Sequence, residues 1–228
     1  MGMLKSSLAF LVLVFAFFFC YVMSSGSYDY FQFVQQWPPT NCRVRVKRPC
    51  SNPRPLQYFT THGLWPSNYS NPKMPSNCTG SQFKKQNLYP YMQSKLKISW
   101  PDVESGNDTK FWEGEWNKHG TCSERTLNLM QYFQRSHAMW KSHNITEILK
   151  NASIVPHPTK TWKYSDIESP IKRATKRTPV LRCKRDPSHP NNSQLLHEVV
   201  FCYDYKAKKQ IDCNRTAGCW NNVDIKFE

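Results

Sequence analysis

The sequence predicts an α+β fold in which helices pack on an antiparallel sheet. Three observations carry the prediction. Val199, Phe201, Tyr203 and Tyr205 alternate with Val200, Cys202 and Asp204, the period of two that marks a strand. Met130, Phe133, His137 and Trp140 recur at helical spacing. Strand-like and helix-like segments do not alternate regularly, and loops rich in Pro, Asn and Ser separate them.

The first element is an apolar run from Leu8 to Met23, preceded by Lys5 and followed by Ser24, Ser25, Gly26 and Ser27, which reads as a secretory signal peptide over residues 1–27. An uncleaved anchor is the competing reading, because the run is long for a signal core. No other segment is apolar enough to cross a bilayer, so no stable membrane association is expected once the signal is removed. The remaining 28–228 segment, 201 residues without repeat or linker, suffices for one domain with a substantial core.

Tyr28 to Trp37 reads as a strand, ended by a turn at Pro38 and Pro39. Leu127 to Ser142 reads as an amphipathic helix behind a Thr126 cap, with His137 packed in the core. Asn144 and Glu147 form a capping pair for a short helix through Lys150, and Ser169-Pro170 opens a short basic helix. The Val199–Tyr205 strand closes the series.

Nine cysteines occur, and Cys20 falls in the signal. The other eight, Cys42, Cys50, Cys78, Cys122, Cys183, Cys202, Cys213 and Cys219, read as four disulfides in an exported chain. A zinc site is the rival, disfavoured because no pair has close CxxC spacing. Eight cysteines allow on the order of 100 pairings, so spacing alone leaves the connectivity open. Sequons at Asn68, Asn77, Asn107, Asn144, Asn151, Asn191 and Asn214 imply exposed turns and passage through the secretory pathway.

The formal charge is +15, and +14 without Lys5. Such a surplus points to a polyanionic partner but leaves RNA, cell-wall polysaccharide and membrane surface equally open. The basic runs Arg43 to Arg48, Lys172 to Arg177, Arg182 to Arg185 and Lys206 to Lys209 are candidate phosphate tracks, or simply solvated faces.

Two segments carry chemistry. Phe59 to Pro66 reads Phe-Thr-Thr-His-Gly-Leu-Trp-Pro, placing His62 at the end of a β-prone stretch, before a glycine turn and an exposed-looking Trp65. By itself His62 could be a structural histidine. Phe111 to Cys122 reads Phe-Trp-Glu-Gly-Glu-Trp-Asn-Lys-His-Gly-Thr-Cys, with Glu115, Lys118 and His119 on one helical face. Its bland readings are a surface salt-bridge trio or half of a metal site. RNA cleavage, however, needs this inventory: a base for the ribose 2′-OH, an acid for the departing 5′-oxygen, and a cation with a proton-bearing group beside the phosphorus. It needs no metal or other cofactor.

The segments around His62 and His119, in this order and spacing, resemble the two active-site segments of the T2 family of secreted acid ribonucleases. Within that family the chain resembles the S-RNases, the pistil ribonucleases of self-incompatibility. The rose-family type is the nearest, on Tyr28-Asp29-Tyr30-Phe31-Gln32-Phe33 through Gln35-Gln36-Trp37-Pro38. The resemblance implies an α+β fold with a central antiparallel sheet, and the pairs Cys42–Cys50, Cys78–Cys122, Cys183–Cys219 and Cys202–Cys213. The Cys78 link would staple the loop after His62 to the helix bearing His119. His119 would be general base and His62 general acid, Glu115 and Lys118 would assist the pentacovalent phosphorus, and the product would be a 2′,3′-cyclic phosphate.

Gln36, Trp65 and Phe111 match positions that line base pockets. Two departures are expected to matter. Gly114 stands where many relatives have a phosphate-binding histidine, and Asp102 and Glu104 replace small residues of the second base pocket. The polar Ser67–Gly80 segment matches a variable region, which would make it a surface read by pollen F-box proteins. The resemblance thus implies a secreted protein of the style that acts on single-stranded RNA after uptake by pollen tubes. The alternatives are a general secreted ribonuclease of nutrition or defence and a catalytically idle, basic storage glycoprotein.

Overall fold

A computed structural model describes residues 27–228 apart from 46, 72, 189–192, 215–217 and 221. The leader predicted over 1–27 lies outside the described residues save for Ser27, as does the Asn191 sequon.

Strand β1 (Tyr30–Gln36) runs into helix α1 (Pro38–Arg43), and β2 (Thr60–Ser67) follows. Helices α2 (Pro90–Ser99), α3 (Asp108–Lys118), α4 (Leu129–Ser142) and α5 (Ile145–Asn151) come next. The chain then gives β3 (Thr161–Trp162), α6 (Tyr164–Thr175), β4 (Val180–Arg185), β5 (Gln194–Tyr203), β6 (Gln210–Ile211) and β7 (Ile225–Lys226).

Strand β5 is the axis of the sheet: β1 and β7 pair along one edge, β4 and β6 along the other, and β2 pairs on the far side of β1. All pairings are antiparallel except the two-residue contact of β5 with β7. Alternation sorts side chains to two faces. Phe31, Phe33, Leu64, Val199 and Phe201 join the main core, to which α2, α3 and α4 add Leu96, Trp112, Trp116, Tyr132 and Phe133. Tyr30, Val34, Trp65, Val180, Val200 and Cys202 form a smaller cluster on the other face, without helical residues. The four disulfides are Cys42–Cys50, Cys78–Cys122, Cys183–Cys219 and Cys202–Cys213.

Several boundaries differ from the sequence expectation, each for a local reason. Pro38 and Pro39 begin α1 rather than a turn, since proline suits the first helical turn, whose N–H groups lack partners. Helix α4 starts at Leu129, because Asn128 rather than Thr126 caps it reciprocally with Gln131. Its buried stripe is Leu129, Tyr132, Phe133, Ser136 and Met139. That rotation leaves His137 half-buried against Ser99 and Trp140 instead of in the core. Pro170 lies inside α6 rather than at its start, because the Asp166 carboxylate accepts the Lys163 N–H and sets the beginning earlier. Burial of Ile167 and Ile171 on the same face offsets the hydrogen bond that proline removes. Strand β5 starts at Gln194, ends at Tyr203, and is buried over its whole length.

Candidate active site

Strand β2 holds His62 as the third of its eight residues, not at its end. Gly63 is a strand residue rather than a turn. Val34 of β1 pairs with Gly63 and Gln35 pairs with Thr61, so His62 is the extra residue of a β-bulge. In an unbroken strand His62 would share the face of Leu64, under the helices. The bulge turns it to the other face, where its ring lies 5.1 Å from that of Trp65, edge to face. The indole of Trp100 donates to the bulged His62 carbonyl at 3.0 Å.

Trp65 is 7% exposed, which corrects the expectation of an exposed ring. Its Nε1 donates to Glu115 Oε2 at 2.9 Å, its ring lies 5.3 Å from that of His119, and the Arg182 guanidinium sits 5.6 Å from its centre. Gly63 is required beside it, since a Cβ there would run into the Trp65 nitrogen and Glu115 Oε2. One indole therefore spaces both imidazoles and ties β2 to α3.

Helix α3 is capped by Asn107, whose side chain accepts from Lys110 N, and is anchored by Trp112 and Trp116, which donate to Trp100 O and Ser81 O. Its length decides the site: Glu115 is within the last turn, and His119 is the C-cap, its N–H still reaching Glu115 O at 2.9 Å. Gly120 follows because a Cβ would enter the Trp116 ring. The 3-10 turn Gly120–Ser123 carries Cys122 to Cys78, and Asn77 N donates to Lys118 O at 2.8 Å. The loop after His62 is thereby stapled to the end of α3.

The two histidines differ electrostatically. His119 is 2% exposed, and its Nδ1 has no hydrogen-bond partner among the described residues. Burial, with the charges of Lys118 and His62, pushes its pKa down to about 3. Burial also pulls His62 down, but the hydrogen bond and charge of Glu198, with Glu115 and Glu104 behind it, reverse the sign and leave it raised. His62 Nδ1 meets Glu198 Oε1 at 2.6 Å, and Arg182 Nη1 donates to Glu198 Oε2 at 3.3 Å. Glu198 itself is held down at about 2, its burial outweighed by His62, His197 and Arg182. Glu115 is raised by burial, against the opposing pull of His62, the Trp65 bond and Lys118. Lys118 is exposed beside them.

Glu198 escaped the sequence reading, and Arg182 entered it only as the start of a basic run. The signal existed: His197-Glu198 is a charged interruption in the apolar run Gln194–Tyr203. A second bulge falls here, Arg182 pairing with Glu198 and Cys183 with Leu196, so that His197 is the extra residue.

A cavity of about 530 Å³ adjoins His62, lined by Gln36, Phe111, Asp102, Glu104, Arg45 and Arg48 among others. Gln36, Phe111 and the two replaced acidic positions therefore share one cleft, whereas Trp65 is not among the residues that line it. Phe111 stacks toward His62 at 6.3 Å. Glu104 pairs with Arg45 at 2.7 Å, and Asp102 turns its oxygens onto the backbone N–H groups of Glu104, Ser105 and Asn107. Neither carboxylate presents an unshared charge to the cleft. Gly114 faces open space. Of the basic runs, Arg43 binds Asp186 and Glu228, Arg177 binds Asp212, and Arg185 covers Trp220.

The chain is similar to known proteins over most of its length. Residues 28–213 match the model of the ribonuclease T2 family. Ribonuclease 1 of Arabidopsis thaliana is 37% identical over 195 residues, which are 83% of this chain and 82% of that protein. A solved variant of ribonuclease MC1, the bitter gourd seed protein, in complex with 5′-GMP superposes with a TM-score of 0.78 at 35% identity, covering 88% of this chain and all of that one. Japanese pear S3-RNase superposes at 0.74 with 33% identity, covering 87% of this chain and all of that one.

Proposed function

The chain belongs to the ribonuclease T2 family, and from that premise we propose that it cleaves single-stranded RNA by metal-independent transesterification, with His119 as general base and His62 as general acid. One observation carries the assignment: the imidazoles beside Trp65 are biased in opposite directions, His119 toward neutral and His62 toward protonated. Two titratable groups pushed apart in one site mark the acid and the base.

In the first step His119 takes the proton of the ribose 2′-OH while that oxygen bonds to phosphorus. The P–O5′ bond then breaks, and the proton held by His62 passes to the leaving oxygen. A 2′,3′-cyclic phosphate and a 5′-hydroxyl result. Lys118 supplies positive charge to the pentacovalent phosphorus, and Glu115, buried and held by the Trp65 indole at 2.9 Å, assists beside it. Gln36 and Phe111 line the cavity that receives a base, and Trp65 packs against the His62 ring that borders it. A relative of this fold is solved in complex with 5′-GMP, which supports nucleotide binding by the chain.

The finer biology we assign to the pistil: an exported, glycosylated cytotoxin of self-incompatibility, taken up by pollen tubes and read by pollen F-box proteins. The leader-like 1–27 segment, the +14 charge and the likeness to a pear S3-RNase support it. The sequons are compatible with glycan. Asn77, Asn107, Asn144, Asn151 and Asn214 are exposed and Asn68 is half-buried. Asn107 and Asn144 cap helices through Oδ1, which leaves Nδ2 for a sugar. The likeness to a general plant ribonuclease favours the second reading, secreted nutrition or defence.

The chemistry is tested by digesting an oligoribonucleotide in EDTA and weighing the products. Fragments ending in 2′,3′-cyclic phosphate are expected, with no cleavage 3′ of a 2′-deoxy position. Cleavage at 2′-deoxy positions, or an obligatory divalent ion, would sink the mechanism. Expression confined to styles separates the pistil role from a general one.

A further inference from the structure

A second cavity, of about 700 Å³, shares no lining residue with the catalytic cleft. Arg125, Arg135, Lys206, Lys208, Gln134 and Tyr205 border it, and no carboxylate does. The four cations make no ion pair among the described residues, unlike Arg43, Arg45, Arg177 and Arg182. The carboxylates adjacent to Arg125 and Tyr205 in the chain are engaged elsewhere. Glu124 accepts from Ser81, and Asp204 accepts from Lys208 N and Lys209 N within its own turn.

The aromatic part of this cavity is built rather than incidental. Tyr205 is 47% exposed, yet one face of its ring is stacked on Tyr28 at 4.6 Å and 17°. Tyr28 is buried, and its hydroxyl donates to Thr126 at 2.6 Å. The turn that presents Tyr205, Lys206 and Lys208 is fixed by the buried Ala207 at φ 52° and by Ala207 N to Asp204 O at 2.8 Å. A fixed ring with one open face amid unpaired cations is the combination that holds single-stranded nucleic acid: bases stack without strict sequence choice, and phosphates meet Lys and Arg. Arg125 lies six residues after His119, a span of at most about 21 Å.

We propose that this cavity is a second RNA-binding site, in which Tyr205 stacks a base and Arg125, Arg135, Lys206 and Lys208 hold the neighbouring phosphates of a strand engaged at His62 and His119. The inference rests on the ribonuclease reading and adds to it a preference for polymer over short substrates.

The test compares wild type, Tyr205→Ala, Tyr205→Phe and the triple variant Arg135→Gln/Lys206→Gln/Lys208→Gln. Each is assayed on a dinucleotide, too short to bridge the sites, and on an oligoribonucleotide of about twenty residues. Binding of a non-cleavable 2′-O-methyl oligonucleotide is measured alongside. Dinucleotide kinetics should be the same in all four. On the oligomer KM should rise about fivefold in Tyr205→Ala, stay near wild type in Tyr205→Phe, and rise further in the triple variant, with a shallower salt dependence of binding. Oligomer KM and binding unchanged in the triple variant would overturn the second site, whereas a wild type inert on both substrates would overturn the ribonuclease reading alone. Loss of binding to phosphatidylserine vesicles with unchanged oligomer KM would also overturn the site, as a membrane surface.

Discussion

At the scale of single residues, the distinction between two histidines rests on what each nitrogen meets. His62 has a carboxylate at 2.6 Å, and His119 has a buried nitrogen without a partner among the described residues. Replacing Glu198 by Gln keeps the shape and removes the charge that raises His62, so the His62 pKa should fall. Activity needs His62 protonated and is lost as pH rises through its pKa, so the alkaline limb of the kcat/KM profile should move to lower pH. The acid limb, set by His119, should stay. An unmoved alkaline limb would show that Glu198 does not govern the acid. The histidines were legible in the sequence because each is followed by glycine and flanked by aromatic residues. Glu198 was not, because it meets His62 across 136 positions of chain, and only the two bulges and the sheet register bring them together.

At the scale of elements, the ends of α3 and α4 are set by side-chain caps, and propensity alone does not find them. The spacing of Glu115, Lys118 and His119 predicts one helical face, but only Glu115 and Lys118 lie within the helix, while His119 is the cap and its backbone is not helical. Its position depends on Gly120, where the Trp116 ring leaves no room for a Cβ. Gly120→Ala should therefore destabilise the protein by about 1–3 kcal/mol and lower kcat, as seen by thermal unfolding and turnover together. Gly114 makes the opposite case on the same helix. It faces open space, so Gly114→Ala should stabilise by about 0.5–1 kcal/mol with unchanged turnover. Gly114→His fits equally and should lower KM for RNA if a phosphate passes this exposed face. The helical face of α4 was misread by a rotation, because Met130 and Trp140 look like core residues by composition but only rim it.

At the scale of the whole molecule, the site exists because a sheet and a helix are held in register from far apart in the chain. The Cys78–Cys122 bridge, closing 44 positions, joins the loop after β2 to the end of α3. Removing it as Cys78→Ala/Cys122→Ala should cost about 2–4 kcal/mol, and the Tm loss should come with a fall in kcat larger than for loss of Cys42–Cys50, which closes 8. The fold class was legible in advance because strand period, helical period and irregular loops survive any detail of packing. The two-residue strands β3, β6 and β7 were not, because so few residues carry no period and pairing alone defines them. The central claim, an acid and a base separated by their surroundings, is tested most directly by the pH dependence of RNA cleavage in EDTA for wild type, His62→Ala and His119→Ala. The account predicts a bell that rises near the His119 pKa of about 3 and falls above the ordinary histidine value of 6.5, with either alanine lowering the maximum about 10²- to 10⁴-fold. A wild-type profile without an alkaline limb, or full activity in either variant, would contradict it.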